Sequence, residues 1–358
     1  MIDIDGSMLE GGGQLLRMAV SYSAIIGEPI RVHKIRAKRE EPGLRPQHLT
    51  AVKAVAELCS ASVEGSEIGS REVIFHPGAI VGGKHRFDIG TAGSIGLLLQ
   101  CTAPVAAYAE KSTHLEVVGG TSVRRSMPVL MLKEVVWKAL KEMGFKGELD
   151  IKREGFYPRG GGIVETNISP VEGLKPLRLL DGVKVGRICG VSLCGKLPSH
   201  VAERQAVAAE SLLRAAGYHD LRIGGKVIEK ERSPLSPGSI ICLWLESETK
   251  CYFGSNALGE RGKPAEVVGR EAAESLLRQL RTGANVDLHT TDNLIIWCSL
   301  AEGQSIFRTS ELTMHILTAI KLAEIITQSR FEVEGTLGKP ALIKCQGIGL
   351  RNRTQSTC

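Results

Sequence analysis

The sequence predicts an α/β (α+β) protein in which three β-α-β-α-β-β repeats form a pseudo-threefold large domain that carries a smaller inserted α/β domain. Three observations predict this. Short strands with period-2 alternation are interleaved with helix-length apolar segments in a recurring order. Leu49-Thr-Ala-Val-Lys53 matches Leu317-Thr-Ala-Ile-Lys321 at the same place in the first and third units. From about Gly182 to Arg281 the order breaks, and it resumes afterwards. The division expected is therefore 1–181 plus 282–358 for the repeats, and 182–281 for the insert.

In the first unit a strand at Ile2–Ile4 leads into Glu10-Gly-Gly-Gly-Gln-Leu-Leu-Arg17 and a helix stopped by Gly27. A strand over Pro29–Ile35, a basic loop from Arg36 to Arg45, a helix over Gln47–Leu58 and strands around Val63 and Val73–Phe75 complete it. The second unit reads as strand Arg86–Ile89, helix Ser94–Ala107, strand His114–Val118, helix Pro128–Met143, and strands Leu149–Arg153 and Gly162–Ile168. The third reads as helix Asp292–Ala301, strand Gln304–Thr309, helix Ile316–Gln328, and strands Phe331–Val333 and Ala341–Cys345. Within the insert, strands are expected at Arg187–Leu193, Ser239–Leu245 and Lys250–Gly254, with helices Ala202–Ala216 and Ala265–Leu280.

Composition narrows the function classes. A net charge of +6 permits a polyanionic partner without requiring one, and 4% aromatic residues argue against an extended stacking platform for single-stranded nucleic acid. The acidic start, Met1-Ile-Asp-Ile-Asp5, has no signal-peptide character, and the uncharged stretch Ile89–Ala109 is too polar and glycine-broken for a membrane span. A cytoplasmic protein without a membrane partner is expected. The 9 cysteines show no C-x-x-C and no zinc spacing and read as small buried hydrophobes, with a disulfide open only in an organism that tolerates intracellular ones.

The chain has no G-x-x-x-x-G-K-[ST], no dinucleotide G-x-G-x-x-G and no K-x-D-G nucleophile. Three constellations are left. Glu10-Gly-Gly-Gly at a helix start suits an anion and, through Glu10, a hard cation; a glycine-rich turn with a dipole-facing glutamate reads the pattern equally well. Arg36, Lys38, Arg39 and Arg45 ahead of Gln47-His48 suit polyphosphate or an RNA end, or form a solvated charge run. Gly155-Phe-Tyr-Pro-Arg-Gly-Gly-Gly162 reads as a structural turn. His315 stands out among 9 histidines because Gln47 and His315 each precede the shared Leu-Thr-Ala sequence by the same two residues. Pseudo-symmetry would bring such helix mouths towards one cleft, joined by Asp292 at another helix start.

Taken together, the Glu10 motif, Ile35-Arg-Ala-Lys-Arg-Glu-Glu-Pro-Gly-Leu-Arg-Pro-Gln-His-Leu49, Gly119-Gly-Thr121, the Gly155 turn and Cys345-Gln-Gly-Ile-Gly349 resemble the RNA 3'-terminal phosphate cyclase family over nearly the whole chain. The resemblance implies a ligase-class enzyme that uses ATP and Mg²⁺ or Mn²⁺ to turn an RNA 3'-phosphate into a 2',3'-cyclic phosphate. It implies that His315 is the nucleophile that carries AMP and Glu10 the metal ligand. ATP contacts would fall on Gln100, His289, Thr290, Thr291, Asp292 and Asn293, and phosphate contacts on Arg17, Arg39, Gln47 and His48. RNA with a 3'-phosphate end would be the partner; a homo-oligomer is compatible with the family. Two positions depart from its pattern: Asn293 where glutamine is usual, and Glu154 where arginine or histidine precedes the glycine. His315 also argues against a non-catalytic relative, which lacks the nucleophile.

Overall fold

The computed structural model describes residues 1–247 and 249–352. The chain is a mixed α/β protein with four sheets among the described residues. In the first unit β1 (Ile2–Asp5), α1 (Gly13–Ile26), β2 (Ile30–His33), α2 (Pro46–Leu58), β3 (Ser62–Glu64) and β4 (Val73–His76) give a sheet ordered β1-β2-β4-β3. In the second, β5 (Gly83–Asp88), α3 (Ile95–Ala107), β6 (Thr113–Gly119), α4 (Val129–Met131), α5 (Trp137–Glu142), β7 (Lys146–Arg153) and β8 (Gly162–Ser169) give β5-β6-β8-β7. Both sheets pair their first two strands parallel and the remainder antiparallel.

Next along the chain are β9 (Arg187–Gly195), α6 (Ser199–Ala215), β10 (Leu221–Val227), β11 (Gly238–Glu246), β12 (Gly254–Leu258) and α7 (Ala265–Leu280), with the sheet order β10-β9-β11-β12. Finally α8 (Leu288–Leu300), β13 (Glu302–Thr309), α9 (Met314–Thr327), β14 (Arg330–Glu334) and β15 (Ala341–Ile348) build the sheet β13-β15-β14. Among the described residues, this last sheet has no strand equivalent to β1 or β5. Two isolated parallel bridges on β13 take that place, Val286 to Thr309 and Arg178 to Ile306.

Three expectations change. The helix expected over Pro128–Met143 is broken by a π turn at Leu132–Val136, where Met131 and Val135 pack onto Ile240 and Cys242 of β11. The strand expected at Lys250–Gly254 begins only at Gly254, because Tyr252 is engaged elsewhere: its N–H donates to the Asn285 carbonyl at 2.8 Å and Asp287 N–H donates back at 2.9 Å. Strand β10 was not expected at all; its Gly224-Gly225 pair dilutes the β signal.

The main core runs from Ile4 to Cys345, and a separate cluster of Ile188, Ile241, Leu243, Phe253, Val268 and Leu276 lies under α6 and α7. At the centre is α1, buried from Gln14 to Ile25 and packed against α2, α3 and α9. A helix covered on every side is a core helix, so polar side chains on it need partners. Tyr22 shows how: its hydroxyl pairs with the Ser299 Oγ of α8 at 2.8 Å. Ser21 Oγ donates to the Arg17 and Cys101 carbonyls, both at 2.8 Å. The 8 cysteines among the described residues are all free and buried, and Cys358 lies outside them. No described helix is long and apolar enough to cross a membrane.

Candidate active site

Four helix N-termini supply the site. Helix α9 begins at Met314 because the Thr313 side chain caps it, accepting from Ile316 N–H at 3.2 Å. That cap places His315 in the first turn with its side chain 54% exposed. The start of α1 lies against this turn. Glu10 N–H donates to Thr318 Oγ1 at 3.2 Å, and Gln14 Oε1 accepts from His315 Nδ1 at 2.9 Å. Gln14 Nε2 in turn donates to Asp292 Oδ1 on α8. A side-chain amide that gives its NH₂ to a carboxylate must offer its oxygen to the ring, so His315 carries its proton on Nδ1 and keeps the Nε2 lone pair free.

Glu10 is 13% exposed and lies 3.9 Å from His315 Nδ1. One carboxylate oxygen pairs with Arg39, and the other, Oε2, is buried without a hydrogen-bond partner. Lys38 Nζ donates to the Leu9 carbonyl at 2.8 Å, so the basic loop is latched onto the Glu10 turn. The described residues hold no cluster of three metal-ligating side chains. An orphaned carboxylate oxygen fits a hard cation that takes one protein ligand and completes its shell with phosphate and water.

Two cationic or hydrogen-donating groups lie behind Glu10. Arg17 is 5% exposed, its Nε has no partner, and it forms no ion pair among the described residues. Burial pulls its pKa down, with Cys101 and Asp292 opposing. A buried guanidinium keeps its charge, so this one presents positive potential to an anion. The His48 ring lies directly against Gly13, where a side chain would collide with it, and a Gly13 Cβ would also come within 3.2 Å of Arg17. His48 Nδ1 accepts from Arg45 N–H at 3.3 Å, which leaves Nε2 as the donor. Burial, reinforced by Arg17, Arg36 and Arg45, lowers its pKa to about 3. His48 is therefore a neutral donor and a poor general base.

Gln47 reaches the second unit: its Oε1 accepts from Ser94 N–H at the mouth of α3, at 3.2 Å. Gln100, farther along α3, and Asn293 line one narrow crevice between α3, α8 and the π turn. Not all of the expected segment faces the cluster. His289 is exposed and lies in the field of Asp292, whereas Thr290 and Thr291 are 0% exposed. The Thr290 hydroxyl donates to Asp287 at 2.7 Å and the Thr291 hydroxyl to Thr309 at 2.9 Å, so both are bound into the interior. Asp292 is not at the helix start. Asp287 is the cap, accepting from Thr290 N–H at 2.8 Å and from Gly254 N–H at 3.1 Å. Burial raises the pKa of both Asp287 and Asp292.

Sequence reasoning left Gln14 and Asp287 without a role. Gln14 is the second residue of α1, directly after the Glu10-Gly-Gly-Gly run, and that place in the motif was the signal available. Glu154 is buried and accepts from the Thr121 and Ser122 hydroxyls, and burial raises its pKa. It clasps the Thr121-Ser122 loop.

Comparison with known proteins decides the family. The family model described as RNA 3'-terminal phosphate cyclase matches residues 8–333. The chain belongs to the RNA 3'-terminal phosphate cyclase family. Relatives named RNA 3'-terminal phosphate cyclase include one from Methanopyrus kandleri, 46% identical over 98% of this chain and 99% of its own. Another, from Thermococcus kodakarensis, is 46% identical over 96% of this chain and 97% of its own. A third, from Pyrococcus furiosus, is 44% identical over 96% and 98% respectively. In this cyclase-family chain, segments from opposite ends of the sequence meet at the Gln14–His315 contact.

Proposed function

We propose that the chain is an ATP-dependent RNA 3'-terminal phosphate cyclase of the ligase class, working through a covalent histidine–AMP intermediate. The observation that carries this is His315 itself: half-exposed at a helix mouth, with Nδ1 tied to Gln14 and Nε2 unencumbered. Nε2 attacks the α-phosphorus of ATP, forming an N–P bond as the bond to pyrophosphate breaks. Helix mouths with unpaired N–H groups, the buried Arg17 and the neutral His48 donor favour the charge that builds on the phosphates. Mg²⁺ or Mn²⁺, held by Glu10, would supply further neutralisation of that charge.

AMP then passes from His315 to the RNA 3'-phosphate, which breaks the N–P bond and forms an anhydride. The adjacent 2'-OH attacks the RNA phosphorus, loses its proton, closes the five-membered ring and expels AMP. Little is needed from the protein in that last step beyond position, because the ribose already holds nucleophile and phosphorus together.

Incubation with α-labelled ATP and Mg²⁺ or Mn²⁺ is expected to give an acid-labile, alkali-stable protein–AMP adduct on His315, located by peptide mass mapping. Undiminished labelling of His315→Ala would sink the proposal.

A further inference from the structure

We infer that the tip Tyr157-Pro158-Arg159, between β7 and β8, is a ledge for the single-stranded RNA just upstream of its 3' end. There Tyr157 stacks on a base and Arg159 pairs with a phosphodiester. This rests on the cyclase reading and adds a substrate contact beyond the reacting groups.

The tip is displayed, not packed. Tyr157 is 77% exposed, and Pro158 and Arg159 are exposed beside it. Its base is fixed from three sides. Phe156 is 3% exposed and packs against Gly238 of the inserted sheet. Gly160 N–H donates to the Phe156 carbonyl at 2.8 Å, and Arg159 N–H donates to Ser236 Oγ at 3.2 Å. Gly160, at φ +64°, lies so close to the Thr91–Ala92 backbone that an added Cβ would be 2.7 Å from Ala92 Cα. A tip whose backbone is held this firmly has little backbone freedom left to lose on binding.

Its location links it to the site. The Thr91–Ala92 segment under Gly160 continues into Gly93 and Ser94, and Ser94 N–H is the donor to Gln47. One loop therefore separates the tip from the residues around His48. The Arg159 guanidinium makes no ion pair among the described residues, whereas Arg124 on the adjacent loop pairs with Glu260 at 2.7 Å. An unstacked base and its phosphodiester supply the aromatic face and negative charge that a free tyrosine–arginine pair accepts. A duplex would offer the phosphates but no unstacked base. One stacking point also suits a chain with only 4% aromatic residues.

The test uses the full chain and a fluorescent, 3'-phosphorylated oligoribonucleotide, with affinity read by anisotropy. Tyr157→Ala and Arg159→Ala should each weaken binding roughly ten-fold. Tyr157→Phe should keep wild-type affinity, since the ring stacks without its hydroxyl. Labelling with α-labelled ATP in the absence of RNA should be the same in all variants, which reports an intact nucleotide site. Unchanged RNA affinity in Tyr157→Ala overturns the ledge, and so does loss of labelling in that variant. A wild-type protein that binds RNA but forms no adduct overturns the cyclase reading instead, and leaves the anisotropy comparison valid. A wild-type protein with no measurable RNA affinity overturns both.

Discussion

His315 Nδ1 donates to Gln14 Oε1 at 2.9 Å, across 301 positions of sequence. The same Gln14 amide donates to Asp292, so three helices fix one imidazole. This second layer holds the tautomer and the ring plane that a nucleophilic Nε2 requires. Gln14→Leu keeps the size of the side chain and deletes both contacts. Single-turnover adduct formation should slow by roughly 10- to 100-fold while ATP affinity changes little. An unchanged rate would remove Gln14 from the orienting role.

His315→Ala should eliminate the adduct and cyclase activity with almost no structural cost. The side chain is 54% exposed. Denaturant unfolding should therefore show a change within about 0.5 kcal/mol of wild type. A much larger loss of stability would make the activity result uninterpretable as chemistry.

His48 makes acid sensitivity testable. Its pKa lies at about 3 in the folded chain because of burial and of Arg17, Arg36 and Arg45, against an ordinary value of about 6.5. The unfolded chain takes up the proton first as pH falls. The stability His48 contributes is thus fully present above about pH 6.5 and is lost as pH drops towards about 3, at no more than about 1.4 kcal/mol per pH unit. Urea midpoints should fall less steeply between neutral pH and mild acid in His48→Gln than in wild type.

Gly160→Ala should destabilise the chain by about 1–3 kcal/mol, seen as a lower thermal midpoint. Its φ is +64° and the added methyl meets Thr91–Ala92 backbone, which cannot swing aside as a side chain would. Gly144, at φ +94° with nothing within 4 Å of its Cβ direction, should cost less on the same substitution.

RNA affinity should fall as salt rises, with a log–log slope of roughly −0.7 for each phosphate neutralised on a single strand. Arg39→Ala should reduce that slope. A slope indifferent to salt would exclude phosphate contacts as the main source of affinity.

Much of this molecule is readable from local sequence because the signals are local. Thr313 caps α9 and so places His315, and Gly27, at φ +81°, ends α1 where expected. The Leu-Thr-Ala echo between α2 and α9 marks two comparable helices. The site residues were recognisable mainly as a set of motifs resembling a family. The inward turn of Thr290 and Thr291, the capping by Asp287 instead of Asp292, and the π turn at Leu132–Val136 were not recognisable. Each depends on what a distant strand or sheet presents: Thr309, Gly254 or Ile240.

The sequence by itself determined most of the strands and helices, the mouths of α1 and α9 and the residue types that gather there, since caps, glycines and apolar periodicity act over a few residues. Only the tertiary structure decided that Gln14 would hold His315, that one Glu10 oxygen would be left without a partner, and that Tyr157 would be left exposed. Those outcomes depend on burial and contact between segments far apart in the chain. No local interaction specifies them until the core around α1 has packed.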